Sequence, residues 1–313
     1  MKFRMEIPIP TSSNKIDHSQ KVYFTGSCFS ENVANKFKYF GFDLLSNSHG
    51  IIYNPVSISE CFFDLMNPGS YQEKDLSFHN DNYFSYAHHG CFDGKESSEV
   101  IKNINVSLQL HASFIKAAQV VFITLGTAWV YVQREINRIV ANCHKVPAEF
   151  FKKRLLTVDD IENNLEKMID RIHFLNPAAQ IVFTLSPVKH LKDGFVENQL
   201  SKSRLHVAIH NFLSKNVSYF PSYEIMNDDL RDYRFWKEDM MHPNELAIEY
   251  IWQKFSETYF SKETMEVMKE VKQYQQLASH RPLSPNLGEI KDFDEKKKAK
   301  LIEIKNKYPQ LIL

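Results

Sequence analysis

Two stretches of the 313-residue chain place the residue types of hydrolytic chemistry where they could act. Gly26-Ser27-Cys28 follows a short β-rich run at residues 21–24 and precedes a helical pattern. A serine in such a turn lies where the backbone N–H groups of a helix N-terminus could stabilise an oxyanion. Asp239-Met240-Met241-His242-Pro243 stands immediately before the last helix of the main body. An aspartate three residues ahead of a histidine can hold the imidazole in the tautomer that accepts a serine proton. Together Ser27, Asp239 and His242 are the parts of a serine hydrolase. Each has a plainer reading: a serine that caps a helix, a DxxH that occurs by chance. Cys28 is a second candidate nucleophile, since a thiol at a helix N-terminus beside a histidine can be activated.

The elements that must position these residues are legible from periodicity. Apolar runs at 21–24, 42–45, 120–125, 181–185 and 217–220 read as strands, and the run at 120–125 (VVFITL) suits a parallel strand covered on both faces. Helical patterns intervene at 30–40, 55–65, 97–117, 197–213 and from Pro243 to about 255. Thr157 with Asp160 caps a further helix whose apolar face is Val158, Ile161, Leu165, Met168 and Ile172. Strands alternating with helices predict an α/β fold: a three-layer αβα sandwich on a mostly parallel central sheet. A β-hairpin insertion is expected within 71–94, turning at 80–82, and a second hairpin at 129–141. The division expected is a domain at 1–280 and a charged helical extension at 281–313. In an open α/β sheet the crevice lies at the carboxyl ends of the strands. Those edges supply Ser27, His49-Gly50, Gly126-Thr127 and Ser186-Pro187.

Composition excludes several classes. Lys+Arg and Asp+Glu are both 38, so no global field draws the chain to nucleic acid or to a membrane surface. Residues 280–313 carry net +3, read as a solvated helix. No window approaches a membrane span, and residues 1–15 carry charges and prolines where a signal peptide needs an apolar stretch. A cytoplasmic location is expected by default, and 43% hydrophobic and 24% charged residues with a mean hydropathy of −0.38 read as a soluble globular chain. The four cysteines show no CxxC pair, which argues against a zinc knuckle or disulfide scaffold. His88-His89 and His190 with Asp193 lack metal-ligand spacing, so neither a metal nor any other cofactor is expected. Nine glycines in all form no phosphate-binding loop.

The joint order of the motifs resembles the GSCFA-domain proteins, a branch similar to the SGNH (GDSL-like) hydrolases. The resemblance is carried by Gly26-Ser27-Cys28-Phe29-Ser30, Gly50-Ile51-Ile52-Tyr53-Asn54-Pro55, Leu125-Gly126-Thr127, Asn142-Cys143-His144-Lys145, Ser186-Pro187-Val188, Tyr233-Arg234-Phe235 and residues 239–243. It implies an SGNH or flavodoxin-like sandwich, with Ser27 rather than Cys28 as nucleophile and Asp239 and His242 as its partners. The oxyanion would be held by the N–H groups of Ser27 and Gly50. The expected third donor is missing, because the chain reads Gly126-Thr127-Ala128-Trp129 where an SGNH enzyme has Gly-x-Asn-Asp; Asn54 and Asn142 are the candidate substitutes. His144 could be an oxyanion or substrate group, and Arg234 would suit a carboxylate or phosphate. The activity implied is cleavage of an O-acyl or O-acetyl ester on a carbohydrate or other small molecule. Acyl transfer on the same triad is one alternative. A degenerate module that binds ligand without turnover, motivated by Ala128, is the other.

Overall fold

A computed structural model describes residues 5–280 and 287–313. Its strands are β1 (Lys21–Gly26), β2 (Asp43–Ser46), β3 (Ser77–His79), β4 (Asn82–Phe84), β5 (Ala118–Leu125), β6 (Trp129–Gln133), β7 (Arg138–Val140), β8 (Phe151–Leu155), β9 (Gln180–Leu185) and β10 (Val217–Phe220). Its helices are α1 (Cys28–Tyr39), α2 (Pro55–Met66), α3 (Ser97–Ile115), α4 (Val158–Leu175), α5 (Phe195–His210), the single turn α6 (Ser222–Glu224), α7 (Glu245–Tyr259), α8 (Lys262–Ser279) and α9 (Leu287–Lys307).

The central sheet runs β10-β9-β5-β1-β2 with every pairing parallel. Since β2 and β5 flank β1, the winding reverses between β1 and β5, and the crevice of such a sheet opens there. Alternate residues of each strand feed opposite layers. Tyr23, Val121, Ile123, Leu125, Ile181 and Phe183 join an aliphatic layer with α2 to α5. Val22, Phe24, Val120, Phe122 and Val182 join an aromatic layer with α1, α7 and α8. Phe37 is the hub of that second layer, with ring centroids 5.1 Å from Phe24, 5.4 Å from Trp252 and 5.5 Å from Phe260. Edge-on ring contacts of this kind add about 0.5–1.5 kcal/mol each beyond area burial. The αβα sandwich read from the sequence is the architecture observed.

Local signals explain most element starts. The Thr157 hydroxyl accepts from the Asp160 N–H while the Asp160 carboxylate accepts from the Thr157 N–H, a reciprocal cap on α4. Asn54 caps α2 ahead of Pro55. Asn80 and Asp81 take positive φ between β3 and β4, as a two-residue hairpin turn requires.

Two elements were not expected. In β8 only Phe151 is buried and three basic residues follow it, so its strand state depends on pairing with β6 rather than on its own pattern. In α8 the buried stripe is only Thr264, Met268 and Val271. The start of the expected extension, residues 281–286, lies outside the described residues. Further on, Ile304 and Leu311 are buried in the aromatic layer and the Ile312 N–H donates to the Gly41 carbonyl. Among the described residues no helix is long and apolar enough to cross a membrane.

Burial holds several imidazoles neutral: His18 and His111 are lowered to about 4, His190 to about 3, and His88 well below the ordinary value. The unfolded chain takes up protons on these histidines as pH falls through about 6.5, while the folded chain does not. Stability is therefore present above that pH and lost below it, by about 1.4 kcal/mol per pH unit for each such histidine. A melting temperature that falls steadily between pH 7 and pH 5 in a calorimetric series is the expected result; a flat profile contradicts it.

Candidate functional site

The site is built from a backbone constraint at the end of β1. Gly26 has φ +126°, and a Cβ there would lie 2.1 Å from the Thr124 carbonyl oxygen of β5. Only glycine lets the two strands finish so close together. The Gly26 N–H donates to the Asn47 side chain, the Gly26 carbonyl accepts from the Ile52 N–H, and the Ser27 N–H donates to the Thr124 carbonyl. The chain then turns into α1 with Ser27 extended at the N-cap. Its hydroxyl makes no capping bond, so the plain helix-cap reading is not realised here. Ser27 is wholly buried and its Oγ has no hydrogen-bond partner. An unpaired buried hydroxyl costs about 1–3 kcal/mol.

The Asp239–His242 motif sits on a loop closed by Lys237 N–H to the His242 carbonyl and Asn244 N–H to the Phe235 carbonyl. Met240 takes φ 57° at its tip. The Asp239 Oδ1 accepts the N–H groups of Met241 and His242, and Oδ2 lies 2.6 Å from His242 Nδ1. Those two backbone bonds, with the imidazole after them, hold the Asp239 carboxyl down to about 2. Lys189, in the segment after β9, donates its N–H to the Met241 carbonyl and sets its ammonium 3.8 Å from the centre of the Trp236 ring. This stitches the loop to the carboxyl edge of the sheet. No hydrogen bond joins Ser27 Oγ to His242: the serine is buried, while the His242 side chain is 41% exposed.

Near both parts lie two groups that the sequence did not assign to the hydrolase site, His190 having been weighed only as a metal ligand. His190 is half-buried, its Nε2 is buried without a partner and lies against Gly126, and its ring meets Tyr53 edge-on at 5.5 Å. Burial first, then the nearby charges of Lys202 and His242, keep it neutral. Lys202, on α5, is fully buried and donates to the carbonyl oxygens of Gly126 at 2.6 Å and Ser186 at 2.7 Å, the residues just past β5 and β9. Burial lowers its pKa to about 7. Neither residue has a local sequence signature. Asp193, weighed beside His190, instead pairs with Lys153 of β8, so the unexpected strand anchors the segment that carries His190.

The other expected residues are engaged in bonds within the protein. The Gly50 N–H donates within its own turn to the Asn47 carbonyl, and a Cβ on Gly50 would fall 2.4 Å from that of His89 in the insertion. The N–H groups of Gly126 and Thr127 both reach the Tyr53 carbonyl. The Thr127 hydroxyl accepts from the Trp129 N–H. Ala128 is buried in the aliphatic layer with its N–H on Ser201 Oγ. Asn54, expected as a substitute donor, binds the N–H and hydroxyl of Ser57 as the cap of α2. Asn142 accepts from the His144 N–H. His144 rivets two loops, with Nδ1 3.1 Å from Asp93 Oδ2 and Nε2 3.0 Å from the Ser85 carbonyl. Arg234 is largely exposed and lies beside Asp232. Cys28 is not an activated thiolate: burial and then Glu31 push its thiol up, against the N–H groups of the helix start. His88 stacks on His49 at 4.3 Å, and among the described residues no three His, Cys, Asp or Glu side chains gather as a metal site.

Fold and site define a doubly wound α/β protein with a serine at the first strand end and an Asp-x-x-His pair facing the same edge of the sheet. The chain belongs to the GSCFA family, whose sequence model matches residues 21–255. No curated protein matches it. Among solved structures it superposes on a carbohydrate esterase family 3 protein from Talaromyces cellulolyticus at 8% identity and TM-score 0.38, covering 80% of this chain and 99% of that one. An acetyl esterase mutant with acetate ion gives 9% and 0.36, over 80% and 99% of the two chains. An acetyl xylan esterase from the rumen bacterium Butyrivibrio proteoclasticus gives 9% and 0.36, over 81% and 67%. Superpositions this loose carry no inference about activity.

Gly26→Ala combines backbone strain of about 1–3 kcal/mol with overpacking of similar size. The expected outcome is a urea midpoint lowered far enough to leave little folded protein at 37 °C, whereas Gly69→Ala, at a turn with only the Gln109 side chain nearby, leaves a folded chain.

Proposed function

We propose that this protein is a serine hydrolase that cleaves an ester, an O-acyl or O-acetyl group on a carbohydrate or other small molecule. Ser27 attacks the acyl carbon and His242 Nε2 takes its proton. Asp239 fixes the imidazole by binding Nδ1. The same proton returns to the leaving alcohol, and water then releases the acyl group by the reverse sequence of transfers. The observation that carries the reading is the 2.6 Å Asp239–His242 pair. Its carboxylate, bonded three ways, stays ionised at every working pH and so holds the Nδ1 proton and leaves Nε2 free to accept. The uncapped Ser27 hydroxyl adds support, since a serine kept only for helix capping would bond its own helix. In this reading Ser27 becomes reachable when the Asp239–His242 loop and the segment bearing His190 move together, because Lys189 links them.

A second reading, a binding module without turnover, is favoured by one set of facts: Ala128 offers no side-chain donor, and the N–H groups of Ser27, Gly50 and Gly126 are all spent on protein carbonyls. Labelling with a fluorophosphonate and hydrolysis of p-nitrophenyl acetate separate the two. The hydrolase reading expects covalent labelling of the wild type that is lost in Ser27→Ala and slowed by about 10³–10⁴-fold in Asp239→Asn. A wild type that does not label, or a Ser27→Ala protein that labels equally, defeats it.

A further inference from the structure

The crevice has an obvious shortage. An ester carbonyl becomes an alkoxide in the transition state, and a site that accelerates this step presents preorganised donors or positive charge to the forming oxygen. Here the backbone N–H groups at the ends of β1 and β5 already serve protein carbonyls, and the side chain at 128 is a buried methyl group.

The same place holds a buried lysine with no carboxylate partner among the described residues. Lys202 makes no ion pair among the described residues, although a lysine is almost never fully buried unpaired. Two of its three N–H groups go to the Gly126 and Ser186 carbonyls, and the third has no acceptor among the described residues. The titratable groups facing it are Cys28 on α1, His190 after β9 and Tyr223 after β10, whose ring centre lies 5.6 Å from Nζ. None is a carboxylate. Holding two carbonyls together needs only a neutral amide donor, so the clamp alone does not account for a titratable amine at this depth. Two further buried atoms lack partners at the same edge: Ser27 Oγ, next in chain to Cys28, and His190 Nε2, against Gly126.

We propose that Lys202 is the positive charge of this crevice, a catalytic residue whose ammonium stabilises the negative oxygen formed on the ester carbonyl, in the role for which Ala128 has no donor. The proposal rests on the serine-hydrolase reading of the same site. As Ser27 Oγ bonds to the acyl carbon, the carbonyl π pair moves onto oxygen and the serine proton goes to His242. Lys202 keeps its proton and lowers the energy of that alkoxide. When the pair returns, the bond to the alcohol breaks and His242 protonates the leaving oxygen. Water repeats the sequence on the acyl-serine to give the free acid and Ser27. The acid product also carries a negative oxygen, so acetate is a probe of the same charge.

Because burial places the Lys202 ammonium near its titration point at neutral pH, with its pKa at about 7, the charge is lost on mild alkalinisation. The test uses the full chain as wild type, Lys202→Met, Lys202→Arg and Ser27→Ala, with folding checked by circular dichroism. On p-nitrophenyl acetate, Lys202→Met is expected to lower kcat by about 100 to 1,000-fold with KM within about threefold. Wild-type kcat is expected to fall above about pH 7, and in Lys202→Arg, which stays charged, that alkaline limb moves up by a unit or more. A Lys202→Met protein within threefold of wild-type kcat, or an alkaline limb unmoved in Lys202→Arg, overturns the proposal. If Lys202→Met does not fold, the Lys202→Arg profile decides alone. Calorimetric titration of acetate into Ser27→Ala, with and without Lys202→Met, separates this proposal from the reading beneath it. Binding weakened tenfold or more by Lys202→Met supports the charge even where the wild type neither labels nor turns over, which would defeat only the hydrolase reading. Acetate binding indifferent to Lys202 overturns the charge even where turnover is found.

Discussion

Everything at the carboxyl edge depends on how closely β1 and β5 finish. A hydrogen atom in place of a side chain at Gly26 lets the Thr124 carbonyl come within 2.1 Å of where a Cβ would stand. That carbonyl then takes the Ser27 N–H, and Gly26 itself is held by Asn47 and Ile52. Three crevice segments, the ends of β1, β2 and β5, are tied through one peptide unit. The rigidity has a consequence for chemistry, because N–H groups committed to this knot are not available to a substrate, and a charge from elsewhere is a physical alternative.

The two layers of the sandwich give that edge its support in different ways. The aromatic layer, centred on Phe37, packs the last turn of α1 against the sheet through large rings with few rotamers. The aliphatic layer carries α5 and so brings Lys202 up beneath the ends of β5 and β9. The crevice holds buried polar groups: Ser27, Ser186 and Lys202 are buried, and so is the Nε2 atom of half-buried His190. Such groups cost stability unless paired, and Ser27 Oγ and His190 Nε2 are unpaired.

Legibility followed the range of the interactions. The strands at 120–125 and 181–185, the reciprocal cap at Thr157 and Asp160, and the Asn80-Asp81 turn were readable because each is decided by residues a few positions apart. β8 was not, since its strand state comes from a partner about 20 residues away in sequence and its own side chains are basic. Asn54 and His144 were singled out by type and motif, while the bonds they make, a helix cap and a bridge between two loops, depend on the fold. Lys202 carried no local signal and His190 was weighed only beside Asp193, because the packing of α5 and of the segment after β9 is what brings them to the edge.

By itself the sequence determined the alternation of strands and helices, the glycine at the first strand end and the Asp-x-x-His spacing, because periodicity, φ freedom and a three-residue separation are local properties of a chain. Tertiary structure decided which donors remain available, which hydroxyl lies buried without a partner and where a buried lysine comes to rest with no ion pair among the described residues. Those depend on dielectric environment and on contacts between residues such as Lys202 and Gly126, 76 positions apart, and no local pattern encodes them.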